Sequence, residues 1–187
     1  MSLLRERILT TATDLFFSRG INSTGVDTIV AEAGTTKMTL YKYFHSKELL
    51  IIEVLKKSQH DLYAWLELGL AKNKKPEDKL NNLLDLIDEW IKAPDFKGVS
   101  FIKASTEFPQ ENNAIHQLSS EQSKQFKLFI ANIANDAGIK DAEVLALQLA
   151  LLIEGAMQAE NMQRGSGAIT YAKIAAKILI DNAAKHS

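Results

Sequence analysis

The stretch TGVDTIVAEAGTTKMTLYKYFHSK, residues 24–47, decides the fold of the N-terminal part of this 187-residue chain. Its first half carries apolar residues at the spacing of one helical face, and its second half carries Leu40 and Phe44 as an i,i+4 pair. Gly34 stands between the two halves, where a sharp reversal needs a positive φ. The pattern predicts two short helices joined by a tight turn. Thr24, with Asp27 three residues later, is the expected N-cap of the first.

Two helices joined by a short glycine-containing turn form a helix-turn-helix, whose second helix enters the major groove of DNA. Thr35 or Thr36 is the expected cap of this second helix. Because Leu40 and Phe44 face inward, the opposite side exposes an unusual set for so short a helix: Lys37, Met38, Tyr41 and Lys42. The stretch therefore predicts a protein that binds double-stranded DNA.

The remaining sequence predicts further helices, so that an all-α chain of about nine helices is expected. Ser2 and Gly20 should bound the first helix, Ser46 should cap the fourth, and Asp141 should cap the eighth. Outside the quoted stretch, we expect helices at about residues 3–18, 46–71, 76–93 (ended by Pro94, Asp95 and Gly98), 100–108, 110–137, 141–163 and 168–185.

Composition agrees with a soluble, mainly helical protein: 46% of residues are hydrophobic, 24% are charged, and only three are proline. The absence of cysteine excludes disulfides and thiolate metal sites. The N-terminal sequence is unlike a signal peptide, and the apolar run 144–153 is much shorter than the roughly 20 residues that span a bilayer. A cytoplasmic protein without membrane contact is expected. The net charge of −1 divides into +2 over residues 1–57 and −3 over the remainder, the direction expected of an N-terminal DNA-binding part.

The eighth and ninth predicted helices have compositions suited to an interface. Residues 144–153 are apolar nearly all round, which predicts burial against both the chain's own core and a partner chain. The last helix is rich in alanine, which lets helices approach closely, as in a four-helix interface.

A set of residues at fixed separations lies within residues 5–55: Phe16, Gly20, Thr24, Val26, Ile29, Ala33, Gly34, Leu40, Tyr41, Phe44, Ser46, Lys47 and Glu48. Together they resemble the N-terminal domain of the TetR family of transcriptional regulators. The resemblance implies a homodimeric repressor with a helix-turn-helix DNA-binding domain at residues 1–47. It also implies a helical ligand-binding and dimerisation domain at residues 48–187, in which the last two helices pair with those of a second copy. The implied partners are a DNA operator and a small-molecule effector that the sequence does not identify.

The same resemblance assigns DNA contacts to individual residues. Lys37, Met38 and Lys42 take the positions of base contacts, where lysine can donate to guanine and the Met38 thioether can touch a thymine methyl group. The alternative for the lysines is a merely solvated face; Tyr43 has the alternative of packing inward, and for Asp27 we prefer helix capping to base contact. The residues in positions of phosphate contact are Thr24, Thr39, Tyr41, Tyr43 and Lys47.

Aromatic residues on the middle helices are candidates for an apolar effector pocket with a few polar groups. For each of them, the alternative is a place in the plain hydrophobic core. Glu154 lies in the apolar helix and must be paired, hydrated or at an interface. The candidate pocket residues are Trp90, Phe101, Glu107, Phe108, Phe126, Phe129 and Gln148.

Enzyme motifs are absent from the sequence. The four histidines, His45, His60, His116 and His186, lie in different predicted elements, and the segment RGSG at 164–167 has the composition of a turn. We therefore expect no catalytic residues, no metal site and no cofactor. Two alternatives to a regulator are a ligand-binding dimer of the same fold that does not bind DNA, and a small helical enzyme.

Overall fold

The computed structural model describes residues 2–73, 75–93, 96 and 100–185. This part of the chain forms nine α-helices and no strand, which confirms the predicted all-α fold. The expected terminators Pro94, Asp95 and Gly98 of the fifth helix lie outside the described residues. The helices are α1 (Leu3–Arg19), α2 (Val26–Glu32), α3 (Lys37–Phe44), α4 (Lys47–Leu70), α5 (Pro76–Lys92), α6 (Ser100–Glu107), α7 (Ala114–Asp136), α8 (Ala142–Met162) and α9 (Ala168–Lys185).

Two of the predicted side-chain caps at helix starts are confirmed. The Thr36 hydroxyl accepts the N–H of Thr39 at 3.2 Å, and the Ser46 hydroxyl accepts the N–H of Leu49 at 3.0 Å. Ser2 and Asp141 occupy the predicted N-cap positions of α1 and α8, but neither side chain makes a hydrogen bond to the first turn. The cap expected at Thr24 is wrong, since Gly25 occupies the N-cap position of α2.

The start of α7 lies four residues later than the sequence pattern predicts. The helix begins at Ala114 because the side chain of Asn113 accepts the N–H of Ile115 at 2.8 Å and so ends the preceding turn.

The turn predicted at Gly34 is confirmed. Gly34 has φ 59° at the turn between α2 and α3, which is the positive value that the reversal needs.

The chain divides into two compact units, Met1–Leu62 with Val99–Gln122, and Tyr63–Gly98 with Ser123–Ser187. The helix-turn-helix, α6 and the start of α7 thus belong to one unit. The expected boundary between a DNA-binding domain at residues 1–47 and a ligand-binding domain at residues 48–187 differs from this division into compact units. That functional boundary stays a prediction.

The core of the first unit is formed mainly by α1 and the helices that pack on it. Phe16 and Ile8 of α1, Ile29 of α2 and Leu40 of α3 are at most 1% exposed. Because α3 has only eight residues, it is too short to be stable in isolation, and its position depends on Leu40 and Phe44. Their burial confirms the predicted inward face of the second helix of the motif.

The second unit is built on the pairing of α8 with α9 and on their contact with α5. The carboxylate of Glu160 accepts the N–H groups of Gly165 and Ser166 at 2.6 and 3.1 Å, which holds the turn between α8 and α9. These bonds, that from Gly165 first, lower the pKa of Glu160. Gly165 and Gly167 have positive φ, which confirms that the RGSG segment is a turn.

Among the described residues, one helix, α8, is long and apolar enough to cross a membrane. Its buried residues, among them Leu145, Leu149, Ile153 and Met157, form the core of the second unit. The composition of α8 is thus also that of the core helix of a soluble protein. Its other side exposes Val144, Leu147 and Leu151, so that the helix is not buried all round within one chain.

Glu154 is the half-buried carboxylate of this apolar helix. Burial raises its pKa, and the charge of Lys127 and a hydrogen bond from Ser123 only partly offset this effect. One carboxylate oxygen, Oε1, is buried without a hydrogen-bond partner. Of the three expected alternatives (pairing, hydration or an interface), pairing within one chain is therefore only partial.

We predict that Leu40→Ala lowers the free energy of unfolding by about 2–5 kcal/mol, because it leaves a cavity beneath α3. Urea denaturation followed by circular dichroism at fixed protein concentration measures the change. Leu68→Ala is the matched control, since Leu68 is 72% exposed, and should change stability by less than about 0.5 kcal/mol. Equal losses in the two variants would contradict the anchoring role of Leu40.

We also predict that Glu154→Gln stabilises the protein at neutral pH. Because the folded-state pKa is raised, the protonated carboxyl favours folding at low pH, and this contribution is lost as the pH rises through the folded pKa. The glutamine variant should have the higher melting temperature at about pH 7, with the difference shrinking toward about pH 4. Glu143→Gln removes the same charge from an exposed position of α8, and an equal gain there would assign the effect to net charge.

Candidate nucleic-acid interface

The outer face of α3 presents a compact set of exposed side chains. Met38 is 81% exposed and Tyr41 is 41% exposed, and Lys37 and Lys42 are exposed beside them. All four are on this face because Leu40 and Phe44 occupy the inner one. The predicted exposure is confirmed, whereas the assignment of Lys37, Met38 and Lys42 to bases stays a prediction.

Lys37 forms an ion pair with Asp27 across the turn of the motif. Its Nζ lies 2.7 Å from Asp27 Oδ1, and the hydrogen bond and charge of Asp27 raise the pKa of Lys37. Asp27 makes no side-chain cap of α2, so that the capping role preferred from the sequence is wrong.

Two of the threonines assigned to phosphates are engaged within the protein. Thr24 is 1% exposed, and its hydroxyl donates to the carbonyl of Gly20 at 2.7 Å. Its side chain therefore does not face a phosphate in this conformation. Thr39 is half-buried, with its Oγ1 3.1 Å from that of Thr36.

Tyr43 combines the two alternatives that the sequence left open. Its ring packs against the core of the first unit, edge-on to Phe44 at 6.5 Å between centroids. Its hydroxyl lies 3.0 Å from Ser2 Oγ at an exposed position. The ring thus packs inward while the hydroxyl stays near the surface.

Lys47, at the start of α4, is bonded to the loop between α1 and α2. Its Nζ donates to the carbonyl of Ile21 at 2.8 Å and lies 6.0 Å from the centroid of the Phe16 ring. Burial lowers the pKa of Lys47, and the charge of Glu107 partly offsets the shift. If Lys47 contacts a phosphate, its ammonium group must bind the phosphate and the carbonyl of Ile21 at the same time.

Glu107 holds the same loop from the end of α6. Its two carboxylate oxygens accept the N–H of Ile21 at 2.9 Å and that of Asn22 at 2.6 Å. Lys103, one turn earlier on α6, donates to the carbonyl of Phe17 at 3.1 Å. Both carboxylate oxygens of Glu107 are thus engaged with the loop, and its role toward an effector stays a prediction. Sequence reasoning missed this bond because its partners are backbone groups 86 residues away along the chain.

The other candidate pocket residues are divided between the two units. Phe101 and Phe108 belong to the first unit, and Trp90, Phe126, Phe129 and Gln148 belong to the second. In the second unit, the ring of Trp90 packs on that of Phe96 and the ring of Phe129 on that of Tyr63, each at 5.2 Å between centroids. Phe126 is buried and Gln148 is exposed.

Among the described residues of the second unit, two open clefts are lined by residues other than the pocket candidates. The first, of about 610 Å³, is lined by α5 and α9 and includes Asp85 and Lys173. The second, of about 360 Å³, is lined by α7 and α8 and includes Lys124, Lys127 and Glu143. The rings of Trp90 and Phe129 pack on neighbouring rings, as the alternative of a place in the core predicts, and the role of the candidates toward an effector stays a prediction.

Comparison with known proteins bears on the helix-turn-helix and on the whole fold. Residues 8–54 match the model of the bacterial regulatory proteins, tetR family. The chain is 25% identical over 154 residues to the HTH-type transcriptional regulator YjdC of Escherichia coli (strain K12), which covers 82% of this chain and 81% of that protein. It is 30% identical to the HTH-type transcriptional regulator YuxN of Bacillus subtilis (strain 168) over 81% of this chain, but over only 51% of that protein.

The structural similarity extends beyond the DNA-binding motif. The chain matches the crystal structure of a TetR-family transcriptional regulator from Streptomyces coelicolor with a TM-score of 0.91 and 25% identity, over 97% of this chain and 96% of that one. The similarity covers 97% of this chain, so it includes both the helix-turn-helix and the helices that follow it. The chain belongs to the TetR family of DNA-binding transcriptional regulators.

Proposed function

We propose that the protein is a homodimeric, cytoplasmic repressor that leaves a near-palindromic operator when a small-molecule effector binds. The observation that carries DNA recognition is the exposure of Lys37, Met38, Tyr41 and Lys42 on α3, which is otherwise anchored by buried residues. Lysine donates well to guanine O6 and N7, and a methionine can contact a thymine methyl group. These exposed groups favour a DNA-binding regulator over a dimer of the same fold without DNA binding.

Homodimerisation through α8 and α9 rests on their unpartnered apolar residues. On α8, Val144, Leu147 and Leu151 are 50–69% exposed and follow one helical stripe. Gly155 continues this stripe, and a Cβ added there would meet no atom within 4 Å. On α9, Tyr171, Ile174 and Ile178 are 58–74% exposed at the same spacing. A second copy that covers these stripes buries both helices in a four-helix interface.

Dimer symmetry determines the form of the operator. In an isologous dimer, the two recognition helices meet equivalent half-sites, so the operator is near-palindromic. Their separation is expected to be about 34–36 Å, or a multiple of one helical turn of DNA. An effector that binds better to a conformation with another separation shifts the dimer away from the DNA-bound form.

Lys37→Ala is predicted to reduce discrimination between the preferred site and random DNA by about 1–3 kcal/mol, because the variant loses a base contact. Sites selected from random duplexes by the wild-type protein supply the specific probe, and fluorescence anisotropy measures both affinities. Lys57→Ala is the control, since Lys57 pairs with Asp61 on α4, outside the helix-turn-helix. Equal losses on specific and random DNA in Lys37→Ala would contradict the base contact.

Lys47→Ala is predicted to weaken binding to all DNA sequences and to reduce the slope of log K against log salt by about one. The reason is that a phosphate contact releases a counterion regardless of the base sequence. Titrations at several salt concentrations measure the slope, and thermal melting checks that loss of the bond to Ile21 leaves the fold intact. An unchanged slope in a folded variant would mean that Lys47 serves the loop alone.

Leu151→Glu is predicted to convert the dimer to a monomer, because each copy would place an unpaired carboxylate in the apolar interface. Sedimentation velocity at several protein concentrations measures the change in mass. Leu68→Glu introduces the same charge at a leucine of α4 that is 72% exposed, and it should stay dimeric. A dimer in Leu151→Glu, or a monomer in both variants, would contradict an interface centred on α8.

A further inference from the structure

Asp27 and Lys37 form an exposed pair that the fold does not require. The two side chains are 80% and 54% exposed, and their charged atoms are 2.7 Å apart. Asp27 lies in the first turn of α2, and Lys37 is the first residue of the recognition helix. Asp27 does not cap its helix, and an exposed ion pair adds little to stability. The charge of Asp27 also favours the N-terminal end of α2 through the helix dipole, but that effect does not need Lys37, so the pairing itself is available for DNA binding.

The charge of Asp27 would by itself oppose DNA binding. A carboxylate at the tip of the helix-turn-helix is repelled by phosphates and by acceptor atoms of the bases. The Lys37 ammonium offsets part of this charge at Oδ1, and a hydrogen-bond donor on a base would offset the rest at Oδ2. In the major groove, cytosine N4 and adenine N6 are the base donors, and cytosine N4 is the usual partner of an aspartate.

The hydrogen-bond donors of Lys37 and the acceptor of Asp27 match the groups that a G·C base pair presents in the major groove. An ammonium has three donors, so that Lys37 keeps two for guanine O6 and N7 while it donates to Asp27 Oδ1. Because the Asp27 side chain is 80% exposed and pairs with Lys37 through Oδ1, its Oδ2 is available as a further acceptor. Together the two side chains present donors beside an acceptor, which is the complement of guanine O6 and N7 beside cytosine N4.

We propose that Asp27 is a specificity-determining residue of this regulator, which with Lys37 forms one recognition group for a G·C pair. Lys37 donates to guanine, and Asp27 accepts from the N4 amino group of cytosine in the same or the adjacent base pair. Asp27 also restrains the long side chain of Lys37 and penalises bases that place an acceptor in its position. The inference rests on the proposed binding of a specific operator.

The competing explanation is that Asp27 only masks the charge of Lys37 until DNA displaces it. The two explanations differ in what loss of the carboxylate charge does. If Asp27 only neutralises Lys37, removing the carboxylate charge raises the affinity for all DNA sequences equally. If Asp27 contacts a base, removing the charge changes the base preference at one or two positions of the site. Sequence preference therefore distinguishes them, and affinity alone does not.

The test is selection of sites from a random duplex library by the full-length protein and by Asp27→Asn. Single-base variants of the selected site are then measured by anisotropy. We expect Asp27→Asn to lose about five- to 100-fold of the preference for the G·C pair that Lys37→Ala also relaxes, or for its neighbour. The control is Glu32→Gln, which removes the same charge from an exposed position of α2 and should select the wild-type site. In Asp27→Asn with Lys37→Ala, the losses should be less than additive.

Three results would count against the inference. If folded Asp27→Asn keeps the wild-type preference at every position, the inference is overturned while sequence-specific binding stands. It is overturned in the same way if Glu32→Gln changes the preference as much as Asp27→Asn does. If the wild-type protein enriches no sequence, the proposed operator binding fails and the inference fails with it.

Discussion

The burial of Leu40 and Phe44 is the constraint on which the DNA-binding face depends. A helix of eight residues cannot hold its own conformation in water, where isolated helices shorter than about 12–15 residues are marginal. These two side chains pin α3 to the core of the first unit and fix its rotation about its own axis. That rotation decides that Lys37, Met38 and Lys42 face outward together. Sequence recognition is thus built on a hydrophobic contact that itself touches no DNA.

The loop between α1 and α2 shows a second constraint, which acts through charge on backbone groups. Glu107 accepts two N–H groups of the loop while Lys47 donates to the carbonyl of Ile21. Charge-assisted hydrogen bonds of this kind are stronger than neutral ones and fix geometry closely. Because Glu107 ends α6, a displacement of α6 must either carry the loop with it or break both bonds. The loop leads directly into α2, so α6 and the DNA-binding helices are mechanically linked within one unit.

Sequence periodicity was enough to predict the helices, their buried faces and the exposed residues of α3. Those features depend on neighbours three or four positions away, which a single sequence displays. The wrong caps at Thr24 and Asp27, and the unforeseen loop bonds of Glu107, have a different origin. A polar side chain near a helix end has several partners within reach, and the choice depends on groups that only the folded chain brings close. Glu107 was expected at an effector pocket because nothing local reveals backbone partners 86 residues earlier. Periodicity predicts that an aromatic side chain is buried but not which residues line a cavity, so the role of the aromatic candidates toward an effector stays a prediction.

The charges of the first unit indicate how affinity and specificity are divided. A protein of net charge −1 has little general attraction for DNA, so that binding depends on local contacts. Two lysines at the DNA-binding face are already engaged, Lys37 with Asp27 and Lys47 with the carbonyl of Ile21. Engaged ammonium groups attract phosphates less than free ones, which weakens binding to arbitrary sequences. Lys37 is also held in position, and a positioned donor loses less conformational entropy when it meets the correct base. With the proposed contacts of Lys37 and Lys47, this arrangement lowers the affinity for arbitrary DNA sequences and increases the affinity difference between the preferred site and other sequences.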